Sequence, residues 1–293
     1  MTENNHYKEI TVIILIFEEN TDVISKCIKG AKNFKVIIID NSGNLLRKKQ
    51  LEQKFKIFKY VLNKKNYGFS KGNNQGIRLC DTKYAFVLNP DCLISEENIL
   101  KLLTSHTKYE NCFIISPTLL DKDANLSLNA GTFPEKGLEN SILNLEGDVC
   151  VDTVLGAAML FKKKDILEVG LFDENIFIFY EDFELCRRIK NKQKSIIQVF
   201  DAKAYHVHGK YKSIRNLLKK TFIENYNMTF GELYYFFKIN QHHKKYSILK
   251  KKLPNFIIKS IINLFLIRLT KSTYYFSKVV AFYKFSKLLN KNK

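Results

Sequence analysis

The first ordered pattern in the chain is an unbroken apolar run, Ile10-Thr-Val-Ile-Ile-Leu-Ile-Phe17. Its β-branched content and lack of alternation predict a strand buried on both faces. Residues 20–30 then predict a helix, with Asn20 or Thr21 at its cap and Gly30 at its end. Residues 35–40 form a second buried run, residues 56–62 an alternating third, residues 68–80 a helical segment and residues 84–88 a fourth strand that stops at Asn89-Pro90-Asp91. Strand, helix, strand, strand, helix, strand implies an α/β fold with a parallel sheet and crossover helices. In such sheets a ligand lies beyond the carboxyl ends of the strands, where Asp40 and Asp91 both fall. Further on, the pattern predicts a helix at 95–106, a strand at 112–116 and a loop-rich polar stretch at 121–152. An apolar segment at 156–161, a helix at 164–169 and a helix from Glu181 follow, and a strand at 195–200 leads into Tyr205-His206-Val207-His208.

Charge divides the chain. It has 48 Lys and Arg against 29 Asp and Glu, a formal net charge of +19 over 293 residues. From Leu233 to the end there are 14 basic residues and no acid, which leaves a net of only +5 for residues 1–232. Leu233 is therefore the expected boundary between a main domain and a basic tail at 233–293. Within that tail the purest apolar stretch, residues 261–267, is closed off by Lys259 and Arg268. That is far short of the ~20 residues needed to cross a bilayer. Polar residues recur at Lys259, Asn263, Thr270, Ser277, Lys284 and Lys287, close to helical spacing. The pattern predicts a basic amphipathic helix or pair lying on an anionic membrane surface. A helical subdomain with a solvated basic face is the plainer alternative. Nucleic acid is the rival partner, disfavoured by the apolar content. Six singly spaced cysteines and an N-terminus, MTENNHYKEI, without an apolar leader point to a reduced, cytoplasmic protein.

The chemistry-bearing residues gather at four places. Asp40 ends a buried strand and is followed by Asn-Ser-Gly, which suits either a hydrogen bond to a ribose or base, or a plain turn. Asn89-Pro90-Asp91 presents a carboxylate at a strand tip, fit for a divalent cation on a diphosphate or for a helix cap. Between them, Asn63 to Ile77 packs three glycines and four asparagines, including Asn66 and Gly68, around Lys71. Small residues at a loop-to-helix junction let backbone N–H groups approach an anion, or simply make a tight turn. The fourth segment, Phe172-Asp-Glu followed by Tyr180-Glu181-Asp182-Phe-Glu184-Leu-Cys-Arg187-Arg188, reads either as a capped helix start with Glu184 one turn from both arginines, or as a general base held at a cleft wall. His206 and His208, two apart at a strand end, face opposite sides, so only one of them enters a site.

In this order the pieces resemble family 2 inverting glycosyltransferases of the GT-A fold, and among them the rhamnosyltransferase-like branch that builds bacterial O-antigen and capsule repeats. The resemblance spans about residues 10–210 and rests on N-x-x-N-x-G-F-x-x-G-N-N-x-G-I at 63–77, Leu-Asn-Pro-Asp at 88–91, Gly156-Ala-Ala, and Tyr-Glu-Asp-x-Glu-Leu at 180–185. It implies a mixed sheet flanked by helices, with the basic helical tail appended. It also implies that Asp182 is the catalytic base with Glu181 beside it. Asp40, Asn66, Gly68, Lys71, Asn89 and Asp91 would bind the nucleotide, and Gly156, Tyr180 and Glu181 would line the sugar and acceptor pocket. Asp91 and His208 would meet a divalent cation, Mg²⁺ or Mn²⁺. The implied reaction moves a sugar, rhamnose first, from a dTDP- or UDP-sugar to a hydroxyl of a lipid-linked glycan at the inner face of the cell membrane. A non-catalytic nucleotide-sugar or glycan-binding scaffold is the alternative. Two departures stand out. The first strand ends in Ile16-Phe-Glu-Glu-Asn20 instead of a Thr/Asn-Tyr-Asn type signature, and Asn89, a weaker metal ligand, replaces the first acid of Asp-x-Asp.

Overall fold

A computed structural model describes residues 6–127, 130–136, 147–207 and 214–291. The chain runs β1 (Ile10–Ile16), α1 (Thr21–Lys29), β2 (Lys35–Asp40), α2 (Leu45–Lys54), β3 (Lys59–Leu62), α3 (Gly68–Leu79), β4 (Tyr84–Leu88), β5 (Cys92–Ile94), α4 (Glu96–Lys108) and β6 (Cys112–Leu120). It continues with β7 (Ala130–Gly131), β8 (Val149–Cys150), β9 (Thr153–Val154), β10 (Ala158–Lys162), α5 (Lys163–Val169), α6 (Glu181–Asn191), β11 (Ser195–His206), α7 (Ile214–Lys238), α8 (His242–Phe265) and α9 (Leu269–Lys291).

Among the described residues, nine strands make one sheet in the order β3-β2-β1-β4-β10-β6-β11-β5, with β8 paired to β11. The first four are parallel neighbours, as the early alternation predicts. From there the sheet is mixed, because β10 runs antiparallel to both β4 and β6. The core is built from the continuous apolar runs themselves: Ile10, Val12, Ile14 and Ile16 of β1, Val36 and Ile38 of β2, and Phe86 and Leu88 of β4 are all buried in it.

The helix α3 lies close against β1, and glycine makes the approach possible. A Cβ at Gly76 would stand 2.3 Å from Cγ2 of Ile13, and one at Gly72 would stand 2.5 Å from Cδ1 of Leu15. These glycines thus bring the helix down onto the strand.

Three sequence expectations change. The stretch after Gly43 holds a helix, α2, that periodicity does not reveal; its ten residues bury only Leu51, so they carry no apolar stripe. Its start is marked instead by Asn44, whose side chain accepts from the Arg47 amide at 3.0 Å. The last strand, β11, runs on to His206, six residues past the apolar run. The composition boundary at Leu233 falls inside α7, where Leu233 is buried. The chain divides instead into a unit of residues 1–174 with 182–209, and a helical unit of residues 175–181 with 210–293. The helical unit has its own core of Ile176, Phe230, Leu233, Tyr234, Ala281 and Phe285.

Candidate active site

Asp40 closes β2, and its side chain is fully buried. Oδ1 accepts from the Ser42 amide at 2.8 Å and the Ser42 hydroxyl at 2.6 Å, and Oδ2 accepts from the Tyr60 hydroxyl at 2.7 Å. Arg47 stands 3.9 Å away and donates to the Phe17 carbonyl at 2.7 Å. Burial and the hydrogen bond to Asp40 push the Tyr60 phenol well above its ordinary value, so it remains a donor. Tyr60 and Arg47, which no sequence motif marks, are thus the groups through which Asp40 reaches its surroundings.

The Asn-rich loop is a hydrogen-bond hub. Asn63 Nδ2 donates to Oδ1 of Asn41 and to Oε1 of Gln75, each at 2.8 Å, while Asn41 Nδ2 donates to Oδ1 of Asn66 at 3.1 Å. Asn66 in turn accepts from the Gly68 amide at 2.8 Å at the start of α3. Lys71 lies over the Tyr67 ring at 5.1 Å. One turn further on, Asn74 clamps a distant segment: its Nδ2 donates to the Phe172 carbonyl at 2.9 Å and its Oδ1 accepts from the Phe172 amide at 3.1 Å. The asparagines therefore tie the ends of β2 and β3 to α3, and α3 to the segment that leads toward Glu181.

At the end of β4, the Asn89 amide donates to the Ala157 carbonyl at 2.8 Å. Asp91 is 24% exposed, and its Oδ1 lies 3.3 Å from Nε2 of His206. The antiparallel pairing of β11 with β5 sets His206 opposite Cys92, which delivers the imidazole to this tip. His208, the histidine expected there, lies outside the described residues. Glu19, from the atypical end of the first strand, is half-buried and accepts from the Phe17 amide at 2.6 Å. Burial raises its pKa, with Asp91 adding to the shift. Among the described residues no three His, Cys, Asp or Glu side chains form a metal-binding group. One carboxylate and one imidazole at Asp91 and His206 nevertheless fit a cation whose remaining ligands are waters and phosphate oxygens.

Asp182 lies in the first turn of α6 and is 8% exposed. Its Oδ2 accepts from the Gly156 amide at 3.3 Å and its Oδ1 from the Phe183 amide at 2.8 Å. Burial raises its pKa, and these two backbone donors only partly oppose the shift. Glu181 beside it is also buried. Two consecutive left-handed residues, Phe179 and Tyr180 (φ +69° and +71°), deliver the chain to Glu181. Such backbone in non-glycine residues persists only where the surroundings impose it. Here Gly231 supplies the room: a Cβ on it would stand 2.5 Å from the Phe179 carbonyl oxygen, and Tyr180 packs on Tyr235 at 5.9 Å. Of the two arginines that follow, Arg188 pairs with Glu184 at 2.7 Å and donates to the carbonyls of Val169 and Leu171. Arg187 turns away to stack on Phe133, 3.4 Å from the ring centroid, and to pair with Glu135.

The sequence model of glycosyl transferase family 2 matches residues 11–166, more than half of the chain. The chain is similar to the low-salt glycan biosynthesis hexosyltransferase Agl10 of Haloferax volcanii, 29% identical over 66% of this chain and 66% of that protein. It is also similar to the rhamnosyltransferase WbbL of Escherichia coli, 26% identical over 75% of this chain and 91% of the relative. The dTDP-rhamnosyl transferase RfbF of Shigella flexneri is 29% identical over 61% of each chain. The chain thus spans just under two thirds of the length of two of these relatives. Among solved structures, GalNAc-T7 with UDP, GalNAc and Mn²⁺ superposes with a TM-score of 0.58 at 13% identity, over 77% of this chain and 51% of that one, which establishes a shared GT-A fold.

Proposed function

The chain belongs to glycosyl transferase family 2, and on that premise we propose that it is an inverting glycosyltransferase with Asp182 as its base. The observation that carries this is the buried Asp182 carboxylate, whose proton affinity is raised while two backbone amides hold it in place. An acceptor hydroxyl has a pKa far above 7, so it must lose its proton as the bond to the anomeric carbon forms. A carboxylate of raised pKa is better matched to that transfer than an exposed one. The Gly156 backbone, whose amide donates to Asp182, would bound the sugar and acceptor side of the pocket.

On the donor side, Asn66, Gly68, Lys71 and Asn89 would shape the nucleotide pocket, and Asp40 would act through Tyr60 and Arg47, which it orients. Asp91 and His206 would hold Mg²⁺ or Mn²⁺ against the diphosphate; when bound, such a cation supplies charge that stabilises the departing nucleoside diphosphate. Relatives named as rhamnosyl and dTDP-rhamnosyl transferases make dTDP-rhamnose the first donor to try, and UDP-sugars the second. The acceptor is a lipid-linked glycan of surface polysaccharide synthesis. The basic helical segment would keep the enzyme at the cytoplasmic membrane surface, and no described helix is long and apolar enough to cross it.

The test is transfer from a panel of nucleotide-sugars to lipid-linked acceptor. Asp182→Asn should lower turnover by about 10²- to 10⁴-fold while donor binding, read by thermal shift, stays within a few-fold. Turnover at the wild-type rate in that variant would refute the assignment. Because the base must be ionised, wild-type turnover should fall as pH drops through a value above the ordinary carboxylate range.

A further inference from the structure

We infer that the turn joining α8 to α9 is a membrane-inserting tip, in which the exposed apolar side chains of 257–269 enter the boundary between headgroups and acyl chains of an anionic bilayer while the cations among and beside them, Lys259 and Arg268 included, reach back to the headgroups. This rests on the reading of the basic segment as a lipid-surface anchor, and it changes how that anchor works. The sequence pattern predicts helices lying flat on the surface. In the structure α9 turns Ser272, Ser277, Ala281, Phe282 and Phe285 inward, whereas α8 buries none of its residues. Nine large hydrophobics within thirteen residues are exposed: Ile257, Ile258, Ile261, Ile262, Leu264, Phe265, Leu266, Ile267 and Leu269. Exposure peaks at the turn itself, with Phe265 at 82% and Ile267 at 80%.

The backbone of the turn is prepared for a medium without water. The Ile267 amide donates to the Leu264 carbonyl at 3.0 Å and the Arg268 amide to the Asn263 carbonyl at 2.8 Å, which together close the end of α8 in a Schellman motif. The side chains do likewise: Asn263 donates to the Lys259 carbonyl at 2.7 Å, and Ser260 and Ser272 donate to each other's carbonyls at 3.1 and 2.9 Å. Polar groups closed in this way lose little on entering hydrocarbon. The left-handed position of such a motif normally carries glycine, yet here it carries a β-branched isoleucine, Ile267, at φ +55°. Folding gains nothing from that choice, since the side chain points into water; an apolar medium does.

The charge selects the partner. Lys250, Lys251, Lys252, Lys259, Arg268 and Lys271 accompany the tip, and no acid follows Glu232 in the chain. A second copy of this face would bring cations against cations, whereas anionic headgroups take them all.

The chain contains no tryptophan, so Phe265→Trp installs a single reporter in the otherwise native protein. With vesicles of phosphatidylglycerol and phosphatidylcholine, its emission should shift to the blue and be quenched by acyl-chain bromines; with phosphatidylcholine alone it should not change. Ile267→Gly should raise the Tm yet weaken vesicle binding, two opposite signs that a purely structural turn would not produce. Phe265→Asp should reduce binding at least tenfold with the Tm unchanged. Emission that stays at its solvent value, quenching only from headgroup-labelled lipid, or a concentration-dependent dimer that Phe265→Asp disperses would each overturn the inference. These assays contain neither donor nor acceptor, so they can fail while sugar transfer succeeds, and the reverse.

Discussion

The strand ends of the sheet unit and the hairpin of the helical unit treat polar and apolar groups in opposite ways. At the strand ends almost nothing polar is left over: Asp40 holds three short hydrogen bonds while fully buried, and Asn41, Asn63, Asn66 and Gln75 close on one another. At the α8–α9 hairpin the polar groups are equally closed, but the apolar side chains stay in water. At roughly 25 cal/mol per Å² of apolar surface, leaving them uncovered forgoes stabilisation that a buried face would gain. What each region retains beyond the needs of folding marks its use. In the sheet unit that surplus is a buried carboxylate of raised proton affinity at Asp182, and in the helical unit it is uncovered hydrocarbon.

If close packing positions the strand-end network, the hardest way to break the comparison is to push α3 off β1. Valine at Gly76 would place its Cβ, and two methyl groups beyond it, within the space of the Ile13 side chain. Gly76→Val should therefore cost more than about 3 kcal/mol, at the upper end of overpacking effects, measured by urea unfolding. Gly76→Ala combined with Ile13→Ala should recover part of the loss suffered by Gly76→Ala alone, because the added methyl then has room. A fully tolerated Gly76→Val would show that α3 does not need the contact, and the account of the network would lose its foundation.

How much of this could be read from the sequence depends on what kind of interaction sets each feature. Strands β1, β2 and β4 were legible because they are continuous apolar runs, β3 because it alternates, and α1 because Asn20 and Gly30 bracket it; the side chain of Asn20 does accept from the Asp22 amide at 3.0 Å. Helix α2 was not, since a surface helix that buries one leucine has no periodicity to detect. The Asn-rich motif was visible, but its reach was not: Asn74 meets Phe172 across 98 positions, a pairing that only tertiary packing creates. In the same way, alternation says that His206 and His208 face opposite sides without saying which faces Asp91; the register of β11 against β5 brings His206 there. The basic tail was obvious by composition, but its boundary was misplaced, because acids vanish at Leu233 in the middle of a continuous helix. Composition follows the environment of a surface, and helices end where their hydrogen bonds do.

A smaller effect sharpens the comparison through pH, at a place in the sheet unit where polar closure fails. His106 is buried against Tyr84 with ring centroids 5.2 Å apart, and neither of its nitrogens has a hydrogen-bond partner among the described residues. Burial, with the charge of Lys162 adding to it, lowers its pKa to about 4. The unfolded chain therefore takes up a proton near pH 6.5 and the folded chain only near 4. Stability is unaffected above that window and is lost as pH falls through it, by up to about 3 kcal/mol. Unfolding midpoints between pH 7 and 4 should show this loss, and His106→Phe should remove it; a variant with the same acid sensitivity would place the cause elsewhere.

The smallest effect belongs to the helical unit and separates the two regions most cleanly. Ile258 is 55% exposed on a helix that buries none of its residues. Glutamine there sacrifices no packed contact and is a slightly better helix former, so Ile258→Gln should move the stability by less than about 0.5 kcal/mol in either direction. The same exchange at Ile38, fully buried in β2, would strand an amide in the core and cost several times more. A loss of 2 kcal/mol or more at Ile258, seen in thermal unfolding without lipid, would mean that the apolar face is already covered in the free protein. The hairpin would then be a piece of hidden core, and its contrast with the strand ends would collapse.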